Sequence, residues 1–209
     1  MTILTQLSSA LNRRDEVPNQ ELAKQVAVAN DTRAVQELVE NLANKNTDIQ
    51  SDCIKVLYEI GTLNPILVAG FADAFVRLLD SKNNRLQWGA MTALHSITTE
   101  NPKAVYSALA KIIAVADKGS VITNDHCVGI LIKLCSVKTY ATNAFTLLIE
   151  RLMIAPTNQL PMYAEQALPV VTPQQKALFI KTLTARLGEI EKESKRKRVE
   201  KVIGKPNKL

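Results

Sequence analysis

Histidine and cysteine are the side chains here whose types could do chemistry at neutral pH. The chain has two histidines, His95 and His126, and three cysteines, Cys53, Cys127 and Cys135. His126-Cys127 with Cys135 eight residues on could start a metal site. Zinc, however, takes four ligands at tight spacing, and the fourth is missing. An odd number of cysteines without framework spacing suits free thiols in a reducing compartment. No Gly-rich phosphate loop, G-x-S-x-G or H-E-x-x-H occurs. Glu59, Asp73, Glu100 and Asp125 have no partner that spacing identifies. The expectation is a chain without catalytic residues, metal or cofactor.

Charge is the second kind of chemistry available. The 209 residues carry a net charge of +6, but its distribution is uneven. Residues 1–180 hold 16 basic and 16 acidic side chains, and residues 181–209 hold ten and four. The body is therefore neutral, and a general affinity for nucleic acid is not expected of it. The excess lies in the stretch EKESKRKRVEKVIGKP. Lys192, Lys195, Arg196, Lys197, Arg198 and Lys201 are the candidate electrostatic contacts, for RNA, DNA or an acidic protein surface. Glu-to-Lys pairs four apart, Glu191–Lys195 and Glu193–Lys197, also support a solvated helix there without any ligand.

The elements that must position these residues follow from a repeat. SDCIKVLYEIGTLNP (51–65) and WGAMTALHSITTENP (88–102) align at a step of 37 residues. Cys53, Val56, Leu57 and Ile60 step to Ala90, Ala93, Leu94 and Ile97. The next steps reach Cys127, Ile130, Leu131 and Leu134, then Ala164, Ala167, Leu168 and Val171. The spacing i, i+3, i+4, i+7 is one face of an α-helix. It makes the cysteines small core residues. First helices are predicted at about 48–61, 84–98, 121–135 and 158–170. Second helices are predicted at about 65–80, 102–117, 139–153 and from 173 onward, the last reaching Ile203 as one helix that projects beyond the array. Asn64, Asn101 and Thr172 precede prolines and are read as N-caps. Gly204 and Pro206 supply the stop. Ahead of the array, Asn19 and Asp31 are read as caps of two shorter helices, and Ile3, Leu4, Leu7 and Leu11 as one face of a further one.

Helix pairs at this period resemble the HEAT and armadillo-like repeat families over residues 19–190, without a diagnostic motif. The resemblance implies an all-α fold, an α-solenoid of antiparallel helix pairs (a HEAT/ARM-like superhelix). The expected organisation is a single solenoid over 1–190, with capping helices in 1–46, four helix pairs in 47–190, and a basic helical extension in 191–209. It also implies a binding role, since such families mostly hold macromolecules on a curved surface. Trp88 and His95 fall opposite the apolar face of their helix, with Tyr58 and Ile132 at the repeat positions of His95. Tyr58, Trp88, His95 and Ile132 are the candidate protein contact, unless another element covers them. The presumed inner face, with Asp73, Arg77, Tyr106, Lys111, Asn143, Glu150 and Arg151, has mixed charge and suits a protein or peptide better than a phosphate backbone. The expected function is a cytoplasmic, non-catalytic scaffold or adaptor. The alternative is a nucleic-acid binder related to the HEAT-like DNA glycosylases that act on alkylated bases, working through the basic tail. No segment looks like a signal peptide or a membrane span.

Overall fold

The structure is a computed structural model, and it describes residues 2–205. Pro206 lies outside them. Thirteen α-helices and no strands occur among the described residues. They are α1 (Val17–Ala29), α2 (Thr32–Glu40), α3 (Thr47–Leu63), α4 (Ile66–Ala69), α5 (Ala72–Leu78), α6 (Asn84–Ile97), α7 (Pro102–Ser107), α8 (Leu109–Lys118), α9 (Val121–Cys135), α10 (Ala141–Ile154), α11 (Leu160–Ala167), α12 (Lys176–Arg186) and α13 (Glu193–Ile203). They form two compact units that divide within α9, one ending at Cys127 and the other starting at Val128.

The 37-residue pattern is the core. Of its sixteen positions, fifteen are buried, and Cys53, Ala90, Cys127 and Ala164 are all 0% exposed. Leu168 is the half-buried exception. Pro169 has no N–H to continue the ladder, so α11 ends at Ala167 and the chain continues as a 3-10 turn over Leu168–Val170. In the first unit α3 packs against both α1 and α6, and α5 against α6. Two glycines allow the close approach of α3 and α6. A Cβ on Gly89 would lie 2.4 Å from Ile54 Cγ1, and one on Gly61 2.3 Å from Ser96 Oγ.

Several local expectations are corrected. The N-terminal apolar residues do not make an α-helix. Ile3–Gln6 is a 3-10 turn; Leu7 is fully buried and Leu11 is exposed. The segment closes in a Schellman-type turn. Arg13 N–H donates to Ser8 O (2.9 Å) and Asn12 N–H to Ser9 O (3.2 Å), with Asn12 left-handed at φ 55°. Asn19 is not a cap but a buried residue inside α1, which begins two residues earlier, at Val17. Asp31 does cap α2, and Asn101 caps α7. Asn64 instead spends its side-chain amide on Asn30 Oδ1 at 2.9 Å. Thr172 lies in a turn ahead of α12, its N–H donating to Gln175 Oε1. The second helices at 65–80 and 102–117 are each broken once, at Gly70–Phe71 and at Ala108.

The largest correction concerns the end of the chain. Helix 173–203 is not continuous and does not project. α12 stops at Arg186, a 3-10 turn covers Leu187–Glu189, and α13 packs back on α11. Val199 is 0% and Val202 3% exposed, so burial of this late apolar pair offsets the break. Arg186 anchors the turn. Arg186 as a residue is 6% exposed, and its guanidinium donates to the carbonyls of Leu152, Met153 and Ala155, at the C-terminus of α10. Glu189 pairs with it at 2.7 Å.

Candidate functional site

The first unit carries an open groove of about 780 Å³. Its walls are the turn and loop Ser8–Glu16, the first part of α3 and the start of α6. Tyr58 and Trp88 both line it, and Ile54 and Gly89 complete the floor between them. The absence of a side chain at Gly89 lets α3 and α6 lie close there.

The N-terminal wall is bolted to α3 by side chains far apart in sequence. Asp52 Oδ2 accepts from Ser9 N–H (2.7 Å), and Asp52 Oδ1 from Asn19 Nδ2 (2.7 Å). Asn19 Oδ1 accepts from Ser8 N–H at 3.0 Å. Arg13 grips Asp15 with two bonds of 2.9 and 2.8 Å. That guanidinium holds the Asp15 carboxyl below its usual range. Lys55, largely buried, reaches Glu16 at 2.8 Å and Glu59 at 2.7 Å, and lies 4.8 Å from the Tyr58 ring centroid. Burial opposes its charge, but the two carboxylates outweigh burial and hold the ammonium above its usual range. Burial likewise pushes the Tyr58 phenol up, against the pull of Lys55.

Among the described residues, other polar groups in the groove have no such partners. The Ser8 and Ser9 hydroxyls are buried without a hydrogen bond, and Ser8 as a whole is 4% exposed. Arg14, Asp48 and Arg85 are exposed side chains on the rim.

The predicted contact row is therefore only partly brought together. Tyr58 and Trp88, both half-buried, share the groove. His95 is not part of its lining. It sits 3.1 Å from His126, Nδ1 to Nδ1, and His126 Nε2 is 2.9 Å from Thr92 Oγ1. Thr92 already donates its hydroxyl proton to Trp88 O. The His126 Nε2–H must then be the donor to Thr92, and neutral His126 accepts from His95 at Nδ1. Burial pushes the His126 pKa down, against the nearby Asp125 carboxylate. Ile132 is half-buried in the second unit.

The cysteines are free thiols. Burial, with Asp52 and Glu37 nearby, pushes Cys53 up to about 12, and burial pushes Cys135 up to about 11, so both stay protonated and poorly nucleophilic.

The six basic candidates of the tail are mostly engaged within the second unit. Arg198 holds Glu165 by two bonds of 2.9 and 2.6 Å, and depresses its carboxyl. Lys197 pairs with Glu193 (2.7 Å), Arg196 with Glu200 (3.7 Å), and Lys195 donates to Asn158. Glu191 precedes α13, so helical i, i+4 geometry does not link it to Lys195. Lys192 and Lys201 are exposed, and Lys201 lies near enough to Glu165 to help depress its carboxyl. On the presumed inner face, Lys111 pairs with Asp80 and Arg151 is 9% exposed, which removes two of its charges.

Reasoning on local spacing missed Ser8, Asn19, Asp52 and the Arg14/Arg85 rim. The Lys55–Glu59 pair beside Tyr58 was a readable i, i+4 signal.

No protein-family model and no curated protein matches the chain. Solved structures do. A designed armadillo repeat protein in complex with the peptide (KR)4 shares 16% identity at a TM-score of 0.67, over 97% of this chain and 98% of that one. An engineered protein solved by a structural genomics consortium shares 18% identity at 0.64, over 98% and 97%. Computationally designed armadillo repeat proteins for modular peptide recognition share 14% at 0.63, over 96% and 97%. The fold is that of an armadillo/HEAT-like helical repeat, all-α and built of helix pairs. No helix among the described residues is long and apolar enough to cross a membrane.

Proposed function

We propose that this chain is a non-catalytic interaction module that holds a peptide segment of a partner protein in the groove of its first unit. The observation that carries this reading is that Tyr58 and Trp88 both line a polar groove whose N-terminal wall is hydrogen-bonded to α3. Aromatic anchors beside exposed polar groups such as Arg14, Asp48 and Arg85 are what a peptide site needs, because the rings supply area and the polar groups set register. The solved neighbours support it, since one is described as bound to a peptide and another as designed for peptide recognition. Within the proposal, residues 1–190 are the solenoid, 191–209 its basic addition, and the protein works in the cytoplasm, where its three free thiols persist. His95 is linked to the site through His126 and Thr92, and Ile132 belongs to a separate surface.

Selection of random displayed peptides on the full chain tests this. Enriched peptides should bind with a saturable change in fluorescence of Trp88, the sole tryptophan. Calorimetry on Trp88→Ala, checked for folding by circular dichroism, should show affinity lowered about tenfold or more. Peptide-induced amide shifts clustering on Ser8–Glu16, α3 and α6 would give the same answer without a variant. Equal binding by Trp88→Ala, with shifts elsewhere, would refute the reading.

A further inference from the structure

The second unit holds the positive charge of the chain. Residues 128–209 carry 14 basic and six acidic side chains, while residues 1–127 carry 12 and 14. Ion pairing does not cancel this excess around α13. The elements chiefly packed against that helix are α11, α12 and the turn Leu187–Glu189. Together with residues 190–205 they hold ten basic and five acidic side chains. Each carboxylate neutralises one cation at most, so five positive charges stay over among these described residues. Lys195 donates to the neutral amide of Asn158, which leaves its own charge in place. At Glu165 three cations act on one carboxylate. Arg198 holds it by two bonds, and Lys201 and Lys205 lie close enough to depress it further.

The outward face of α13 decides which kind of anion fits. Lys192, Arg196, Lys197 and Lys201 are all exposed on it, Lys192 at the N-cap. Lys197 and Arg196 have carboxylate partners at exposed positions, and such pairs are weak and open readily. Between residues 191 and 201 the one apolar side chain is Val199, which is buried. The face therefore lacks the apolar centre of a protein interface. Stable attachment to a membrane takes a second, apolar signal beside a basic patch, and this face has none. It has no aromatic ring on which an unpaired base could stack. A duplex backbone asks for none of these. Its phosphates accept ammonium groups as point charges, and its bases stay inside.

We infer that the outward face of α13 binds the phosphate backbone of double-stranded nucleic acid without reading its sequence. This does not rest on the peptide reading of the first unit. The experiment follows the fluorescence anisotropy of a short labelled DNA duplex as the full chain is added, at several salt concentrations. The expected dissociation constant is about 10 µM at physiological salt, and a duplex of unrelated sequence should bind equally well. With three or four phosphates contacted, the logarithm of affinity should fall with the logarithm of salt at a slope of about −3. Lys192→Glu combined with Lys201→Glu should weaken binding about tenfold or more and flatten that slope by about two. Lys24→Glu combined with Lys45→Glu, the same change of net charge in the first unit, should leave both unchanged. If the α13 variant does not fold, the salt slope of the wild type and its competitors decide. Those competitors are the single strand of the same sequence, phosphatidylserine vesicles and poly-glutamate, each expected to bind more weakly than the duplex at equal salt. Absence of binding at low salt, equal binding by the α13 variant, or tighter binding of any competitor overturns the inference.

Discussion

His126 shows how one proton can be tied to the candidate site. Its neutral form fits the chain Trp88 O, Thr92 hydroxyl, His126, His95. Protonation would turn His126 Nδ1 into a donor and oblige His95 to accept at the 3.1 Å contact. The lowered folded-state pKa has the same sense. Unfolded His126 titrates near 6.5, so below that pH the unfolded chain binds the extra proton first. Stability is therefore complete above about pH 6.5 and falls as pH drops toward the depressed folded value. Urea midpoints measured between pH 7.5 and 5.5 should decrease on acidification, and Trp88 emission should shift with them. His126→Gln, which keeps a donor without the titration, should flatten that slope. A slope unchanged in His126→Gln would assign the effect to other groups. Residue types alone flagged Trp88 and His95 as neighbours on one helix face. In the fold they serve different surroundings, because α9 brings His126 to one and the N-terminal turn approaches the other.

At the scale of elements, two contacts decide how helices meet. Gly89 lies where α6 crosses α3, and a methyl group there would press into buried Ile54. Gly89→Ala gains helix propensity of nearly 1 kcal/mol but overpacks the crossing, a cost of about 1–3 kcal/mol. The net expected change is a loss of stability in urea melts, with a weakened peptide groove because its floor moves. A stabilised Gly89→Ala would mean that Ile54 repacks freely. Arg186 is the second contact. Its buried guanidinium satisfies three carbonyls where α10 ends and lies favourably at that helix's negative pole. Arg186→Met keeps volume and removes the donors. It should cost on the order of 2–4 kcal/mol, as expected for several buried groups left unsatisfied. Thermal unfolding followed by circular dichroism checks this; a shift within error would show that water replaces the guanidinium. Arg186 looked like one more member of a basic tail, since nothing local marks it as a clamp.

For the whole molecule, the basic C-terminal helix is a structural part of the second unit and not an appendage. Val199 and Val202 are buried and Arg198 is locked to Glu165. Removing residues 191–209 should therefore lower the melting temperature and expose apolar surface to a hydrophobic dye. An unchanged melt would restore the projecting-helix picture. Electrostatic binding by this helix is tested better by Lys192→Glu with Lys201→Glu, which leaves the packed face untouched.

The repeat was legible because helix packing asks only for apolar side chains on one face at the helical period, and that is written locally. Fifteen of sixteen pattern positions lie in the core for this reason. Helix pairing and the all-α fold followed from the same periodicity, as did the caps at Asp31 and Asn101, whose hydrogen bonds span three residues. Three features were decided only in the folded chain. Asn19 and Asp52 meet across 33 positions to seat the N-terminal turn on α3, and no spacing rule selects that pair. The break between α12 and α13 trades helix continuity for burial of two valines against α11. The groove itself arises because the folded chain brings the N-terminal turn, α3 and α6 together. Local chemistry determines which groups a residue can offer, and tertiary contacts determine which of them remain available to a partner.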